Sequence, residues 1–218
     1  MSYRPHIVVA IDGPAASGKS TVARLVAGRL GFLYVNSGAM YRAFTWLALE
    51  RGIDCADRGA VIDMLAHSTV DCGESDGAGV IRLDGRVAGE EIHSPAVNAN
   101  VSAIAAIPEV RESLLGALRA YGERSNVVME GRDIGTVVFP DTAHKFYIDA
   151  SPEIRQARRR SQGLEDSVAD RDRKDSSRET APLAIAPDAV VIDSSDQGIE
   201  EVVAAVLDRL AADGVVSA

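Results

Sequence analysis

Near the start of the chain, Ile7-Val8-Val9-Ala10-Ile11 is a continuous apolar run that Asp12 and Gly13 bring to a stop. A run of that length and purity predicts a strand buried on both faces, the habit of a parallel sheet. The residues that follow, Gly13-Pro14-Ala15-Ala16-Ser17-Gly18-Lys19-Ser20, fit the pattern G-x-x-x-x-G-K-[ST] at every defined position. From Lys19 to Leu30 apolar residues recur at Val22, Leu25, Val26 and Leu30, a helical period that Gly31 closes. Strand, glycine-rich turn and helix in that order form a phosphate cradle. Successive backbone N–H groups turn towards an anion, and the helix N-terminus adds its positive partial charge. Lys19 is placed for the β and γ phosphates and Ser20 for magnesium, so Gly13 to Thr21 is the candidate binding segment for ATP or GTP.

The rest of the chain reads as an α/β fold. Phe32 to Val35 predicts a second strand, and Ser37 is placed to cap a helix running through Tyr41 and Trp46 towards Arg51. Further core strands are expected at Val127 to Met129, Lys145 to Ile148 and Ala189 to Ile192, making a parallel five-stranded sheet flanked by helices. Helices are expected at Ser94 to Ala105, Pro108 to Glu123 and Ile199 to Ala212. Between Thr69 and Val87 the pattern changes to β-prone runs around Asp84-Gly85, which predicts a small antiparallel insertion, with Gly73 to Gly79 as a polar turn.

Composition narrows the partners. A formal net charge of -9 opposes binding to a nucleic-acid polymer, which needs a basic surface. Only Lys19, Lys145 and Lys174 are lysines, however; every other basic side chain is arginine, whose planar fork grips phosphate. Arginines accumulate at 155, 158, 159, 160, 171, 173 and 178, in a stretch almost without apolar residues. That stretch fits either a solvated helix laced with carboxylates or an arginine-bearing helical lid. Cys55 and Cys72 have no metal-like spacing and read as free thiols. Met1 to His6 lacks the pattern of a signal peptide and no apolar run is long enough to span a membrane, so the expectation is a soluble, cytoplasmic protein.

A phosphate loop alone leaves GTPases, motor ATPases and small-molecule kinases open. The base-reading Asn-Lys-x-Asp of a GTPase is missing, and Val127-Val128-Met129 runs into Glu130-Gly131-Arg132-Asp133 rather than into a water-positioning aspartate. Arg132, and Arg42 after the second strand, lie where an open α/β sheet places its ligands, beyond the carboxyl ends of strands. A second anion beside ATP is the natural inference. Arg171, Asp175 and Arg178 are spaced to share one helical face, where guanidinium forks and a carboxylate can form an ion-pair ladder or hold phosphate and ribose.

Four segments carry a resemblance: Ile11 to Thr21, Ser37-Gly38-Ala39-Met40-Tyr41-Arg42, Glu130 to Pro140, and Arg171 to Arg178. Together, and in this order, they are similar to bacterial cytidylate kinases, nucleoside monophosphate kinases, over essentially the whole chain. The resemblance implies a single kinase domain, 1–218, with a core at 1–36, 95–150 and 179–218. It implies a monophosphate-binding region with the insertion at 37–94 and a lid at 151–178. It implies that Arg42, Arg132 and Arg178 hold the acceptor's α phosphate, with Lys19, Arg132 and Arg178 catalytic. Ser37, Ser102, Arg111 and Asp133 would surround cytosine, and Arg171 and Asp175 would bind the pentose. Arg158 is the lid arginine placed on the ATP phosphates. The chain departs from the family pattern at Asn36, where an aspartate is expected, and in the shorter segment 151–170.

The implied reaction is transfer of the ATP γ-phosphoryl group, as MgATP, to CMP or dCMP. A phosphate acceptor needs no strong general base, since its second pKa is about 6. Two other readings stay in view: a shikimate-type kinase acting on a hydroxyl with Asp133 as base, and a non-catalytic nucleotide-dependent switch. A monomer without membrane or nucleic-acid partners is the expected state.

Overall fold

The computed structural model describes residues 6–161, 163 and 167–215. In chain order its elements are β1 (Val8–Asp12), α1 (Lys19–Leu30), β2 (Leu33–Asn36), α2 (Ser37–Glu50), α3 (Arg58–Ala66), β3 (Val70–Ser75), β4 (Ala78–Leu83) and β5 (Arg86–Val87). There follow α4 (Pro95–Ile104), α5 (Pro108–Arg124), β6 (Val127–Gly131), β7 (His144–Asp149), α6 (Pro152–Ser161), α7 (Val168–Ser176), β8 (Val190–Asp193) and α8 (Ile199–Ala212). The chain divides into two compact units, 1–34 with 122–218, and 35–121; β2 runs from the first into the second.

The sheet has eight strands rather than the expected five: β2-β6-β1-β7-β8 are the strands that the apolar runs indicate, and β4 continues the row beside β2, with β3 and β5 on β4. The pairs β1–β6, β1–β7 and β7–β8 are parallel, with Val9 opposite both Val128 and His144. Burial of Val9, Ile11, Val128, Phe146 and Ile148 against Val22 and Val26 of α1 and Val202, Val206 and Leu210 of α8 makes the core. Each such side chain contributes roughly 1.5–3 kcal/mol on leaving water. α1 ends where expected: Gly31 takes the left-handed conformation, φ 64°, and its N–H returns to the Ala27 carbonyl.

The second unit carries the antiparallel insertion, β3–β4–β5. Both of its turns are Asp-Gly pairs with positive φ at each residue, Asp76-Gly77 and Asp84-Gly85, the requirement of a tight two-residue hairpin. The polar stretch Gly73 to Gly79 is therefore mostly strand, and only its centre turns. Side-chain hydroxyl chemistry ties this hairpin to α5, since Tyr121 Oη lies 2.9 Å from the Gly73 carbonyl and 2.7 Å from that of Val80. Phe44, Ile104, Leu114 and Leu118 are fully buried in this unit's core.

Three local expectations are corrected. Asn36, not Ser37, caps α2: its Oδ1 accepts the Ala39 N–H at 2.9 Å, and Ser37 is the first helical residue. α7 ends at Ser176, so Arg178 lies past the helix rather than on its face. The helix α3 was not expected; Asp57 caps it and only Val61 and Met64 are buried. Neither Cys55 nor Cys72 is in a disulfide. Among the described residues no helix is long and apolar enough to cross a membrane.

Candidate active site

β1 delivers the chain into the phosphate loop at Asp12, and the loop's backbone leaves no room for alternatives at its first glycine. Gly13 has φ 154°, and a Cβ there would lie 2.1 Å from the Ile148 carbonyl oxygen. Ala16 and Gly18 are also in positive φ, at 60° and 91°. Such alternation turns backbone N–H groups towards a common anion. Pro14, Ala15 and Ser17 are buried, whereas Ser20 and Thr21 stand exposed in the first turn of α1. The buried Ser17 Oγ finds no hydrogen-bond partner among the described residues. Lys19 Nζ donates to the Pro14 carbonyl at 2.9 Å. Burial first, and the Arg132 charge second, push its pKa down to about 7. Arg158, on α6, donates from Nη1 to the Ser17 carbonyl at 3.2 Å, which places it against the loop.

Beyond β6 the first unit gathers most of the remaining candidates. Arg132 Nε donates to Asp175 Oδ2 at 2.9 Å, and Arg178 pairs with Asp175 Oδ1. Burial alone would raise the Asp175 carboxyl, but the charges of Arg132 and Arg178 outweigh it and hold the group below its ordinary value; Arg171 adds to them. Asp133 is buried at the head of a wide helical turn, Ile134–Val138, and its carbonyl accepts the Val137 and Val138 N–H groups.

That turn is held by a residue the motif reading did not single out. Asp12 Oδ1 accepts the Ile134 N–H at 2.8 Å, and Oδ2 accepts the Gly135 N–H at 2.7 Å. Burial pushes the Asp12 carboxyl up to about 6, despite both hydrogen bonds. The only sequence signal is its place, between the first strand and Gly13.

The second unit positions the other candidates by itself. Arg42 Nη1 donates to Asn98 Oδ1 at 2.6 Å and to the Ile92 carbonyl at 3.4 Å. Arg111 Nη1 donates to the Ala105 carbonyl at 3.1 Å, and its guanidinium lies 5.3 Å from the centre of the Tyr41 ring, within cation–π range. Ser37 is buried at the start of α2, and Ser102 is half-buried on α4. Asn98 and Tyr41, which orient Arg42 and Arg111, were not among the sequence candidates.

Magnesium fits the donors present. Among the described residues no group of three or more His, Cys, Asp or Glu could hold a metal alone. Magnesium in nucleotide sites keeps its waters and phosphate oxygens and takes one or two protein oxygens, a demand that the exposed Ser20 hydroxyl meets.

The fold and the loop define the class: an α/β protein built on a phosphate loop, with arginines ranged beyond the carboxyl ends of its strands. A crystal structure of an unliganded sugar kinase from Janibacter sp. HTCC2649 shares this fold, with TM-score 0.50 at 17% identity, covering 98% of this chain and 100% of that one. The family is narrower. Residues 9–212 match the cytidylate kinase family profile. A cytidylate kinase of Pelotomaculum thermopropionicum is 44% identical over 217 residues, covering 94% of this chain and 96% of that protein. Those of Geobacillus thermodenitrificans and Rhodococcus jostii are 42% and 43% identical, covering 93% and 92% of this chain and 96% and 93% of the relatives. The chain belongs to the cytidylate kinase family.

Proposed function

We propose that this chain transfers the γ-phosphoryl group of ATP to CMP or dCMP, giving ADP and CDP or dCDP. The observation that carries this reading is the pairing of Arg132 and Arg178 on one buried carboxylate, Asp175, in the same unit as the phosphate loop. A hydrolase needs one anion site and a placed water; a second cationic site suits an acceptor that is itself a phosphate. Family membership and the names of the relatives support the same acceptor.

Lys19 and the loop N–H groups hold the donor phosphates, and Arg158 joins them. Ser20 would hold magnesium, which neutralises phosphate charge and orients the transferring group when bound. Arg42, Arg132 and Arg178 take the acceptor phosphate, Ser37, Ser102, Arg111 and Asp133 the cytosine, and Arg171 and Asp175 the pentose. Asp175 can do this while paired, because two ion pairs occupy only part of a carboxylate's acceptor capacity. Cytosine offers an amino donor and a carbonyl acceptor, which a carboxylate and an arginine can read together. No residue need act as a strong base, so catalysis rests on positioning two anions and offsetting their charge. In this reading 37–94 forms the monophosphate-binding region and 151–178 the lid, and the protein works in the cytoplasm as a monomer.

Coupled ADP release with MgATP and CMP, dCMP, UMP, AMP, GMP or shikimate tests the proposal. Turnover selective for CMP and dCMP is expected. Turnover with shikimate alone would transfer the reading to a hydroxyl kinase, and ATP binding without acceptor-dependent ADP formation would favour a switch.

A further inference from the structure

An anion cradle made of N–H groups has a corollary. The trans peptide unit is planar, so the carbonyl of one residue points away from the N–H of the next. Each N–H that faces a phosphate therefore sends a carbonyl in the opposite direction, and a carbonyl buried without a donor is costly. In this loop three such carbonyls are satisfied by four side chains, and three of those side chains lie far from the motif.

The Pro14 carbonyl takes Lys19 Nζ. The Ala15 carbonyl takes Arg155 Nη1 at 3.3 Å. The Ser17 carbonyl lies 2.9 Å from the Ser194 hydroxyl, whose one proton it shares with the Asp149 carbonyl at the same distance, and Arg158 Nη1 donates to it at 3.2 Å. Arg155 and Ser194 are themselves almost fully buried, at 5% and 4% exposure. Each is fixed from more than one side. Arg155 Nε donates to the Ala150 carbonyl at 2.9 Å, and Nη2 pairs with Asp172 Oδ2 of α7 at 2.7 Å. Ser194 stands just past β8; its N–H donates to the Asp149 carbonyl at 2.8 Å, and its Oγ accepts from Arg158 Nη1 at 3.1 Å.

We propose that Arg155 and Ser194 are positioning residues of the donor-phosphate cradle, holding the Ala15 and Ser17 carbonyls so that the N–H groups of Ala16 and Gly18 face the opposite way, towards the phosphates. The inference rests on the donor half of the proposed function. It assigns to Arg155, within an arginine run that composition presents as solvated, a role on the protein's own backbone rather than on substrate.

The test combines kinetics with calorimetric binding of inorganic tripolyphosphate in magnesium, using Ser194→Ala, Ser194→Thr and Arg155→Lys. Loss of one buried hydrogen bond corresponds to about a tenfold effect. Ser194→Ala is expected to raise KM for ATP and Kd for tripolyphosphate about tenfold with KM for CMP unchanged. Ser194→Thr, which keeps the hydroxyl, is expected to restore both. Arg155→Lys keeps the charge but loses the fork, and is expected to give the same split between ATP and CMP. Equal rises in both KM values, or no change in tripolyphosphate affinity, would overturn the inference. Should Ser194→Ala fail to fold, the Arg155→Lys split decides by the same criteria. Wild-type protein that binds tripolyphosphate but does not phosphorylate CMP would remove the acceptor reading and leave this inference to the binding data. Wild-type protein that binds no triphosphate would overturn both.

Discussion

Asp12 offers the cleanest quantitative check on the site's electrostatics. Its carboxyl is raised from 3.8 to about 6 by burial, so the folded protein binds its proton more tightly than the unfolded chain does. The resulting stabilisation is present in full below the unfolded value and is lost as pH rises through about 6. Linkage over these two pKa values gives a loss of roughly 3 kcal/mol in all, about half of it between pH 5 and pH 7.5. Asp12→Asn removes the titration while keeping the shape. The amide still accepts one N–H from the Ile134–Gly135 pair, but its NH2 faces the other, at a cost of about 1–3 kcal/mol that does not vary with pH. Urea unfolding of both proteins at pH 5 and pH 7.5 isolates the linkage as a difference of differences. The wild type should lose roughly 1–2 kcal/mol more than the variant over that interval. Parallel pH dependence in the two proteins would show that Asp12 ionises as an ordinary carboxyl, its two N–H bonds offsetting burial in full.

Other substitutions probe the same architecture. Gly13→Ala places a Cβ 2.1 Å from the Ile148 carbonyl, in the body of β7, and should cost about 3 kcal/mol by urea unfolding together with ATP binding. Lys19→Met should lower kcat by at least about a hundredfold in coupled assays, with KM for CMP nearly unchanged. Asp175→Asn withdraws the shared carboxylate from Arg132 and Arg178; KM for CMP should rise about tenfold while KM for ATP holds, and equal rises in the two would count against an acceptor-side role.

How much of this was legible depended on whether a residue's role is local. α1 runs from Lys19 to Leu30 because its apolar period, the phosphate loop ahead of it and Gly31 behind it all lie within one window. The two Asp-Gly turns are local as well, although only Asp84-Gly85 stood out; Asp76-Gly77 was hidden among polar and glycine neighbours whose strand character comes from pairing with β4. α3 went unread because it is nine residues long and buries only two side chains, which gives a weak period. At α2, Asn36 and Ser37 are both good capping residues side by side, and sequence alone could not choose between them. Arg155 and Arg159 read as solvated because arginine usually is; both are buried, and Arg155 is held by the nearby Ala150 carbonyl together with the Ala15 carbonyl and Asp172 from other segments. Asn98 and Ser194 are single polar residues with no surrounding pattern, so only the folded chain shows what they touch.

The partners of these cations differ in a way that bears on substrate binding. Lys19 donates to a neutral carbonyl, Arg158 to two carbonyls and a hydroxyl, and Arg42 to an amide and a carbonyl. Arg132 and Arg178 share one carboxylate. Hydrogen bonds to neutral oxygens are about half as strong as those to an ionised acceptor, so a phosphate oxygen competes favourably for Lys19 and Arg158, whereas Arg132 and Arg178 are held by a charge. At Lys19 burial first, and the neighbouring Arg132 second, push the pKa down to about 7, against the pull of Glu130, Asp175 and Asp12. Under the proposed function, a triphosphate at the loop would add negative charge beside Lys19, favour the ammonium form, and so strengthen its own contact.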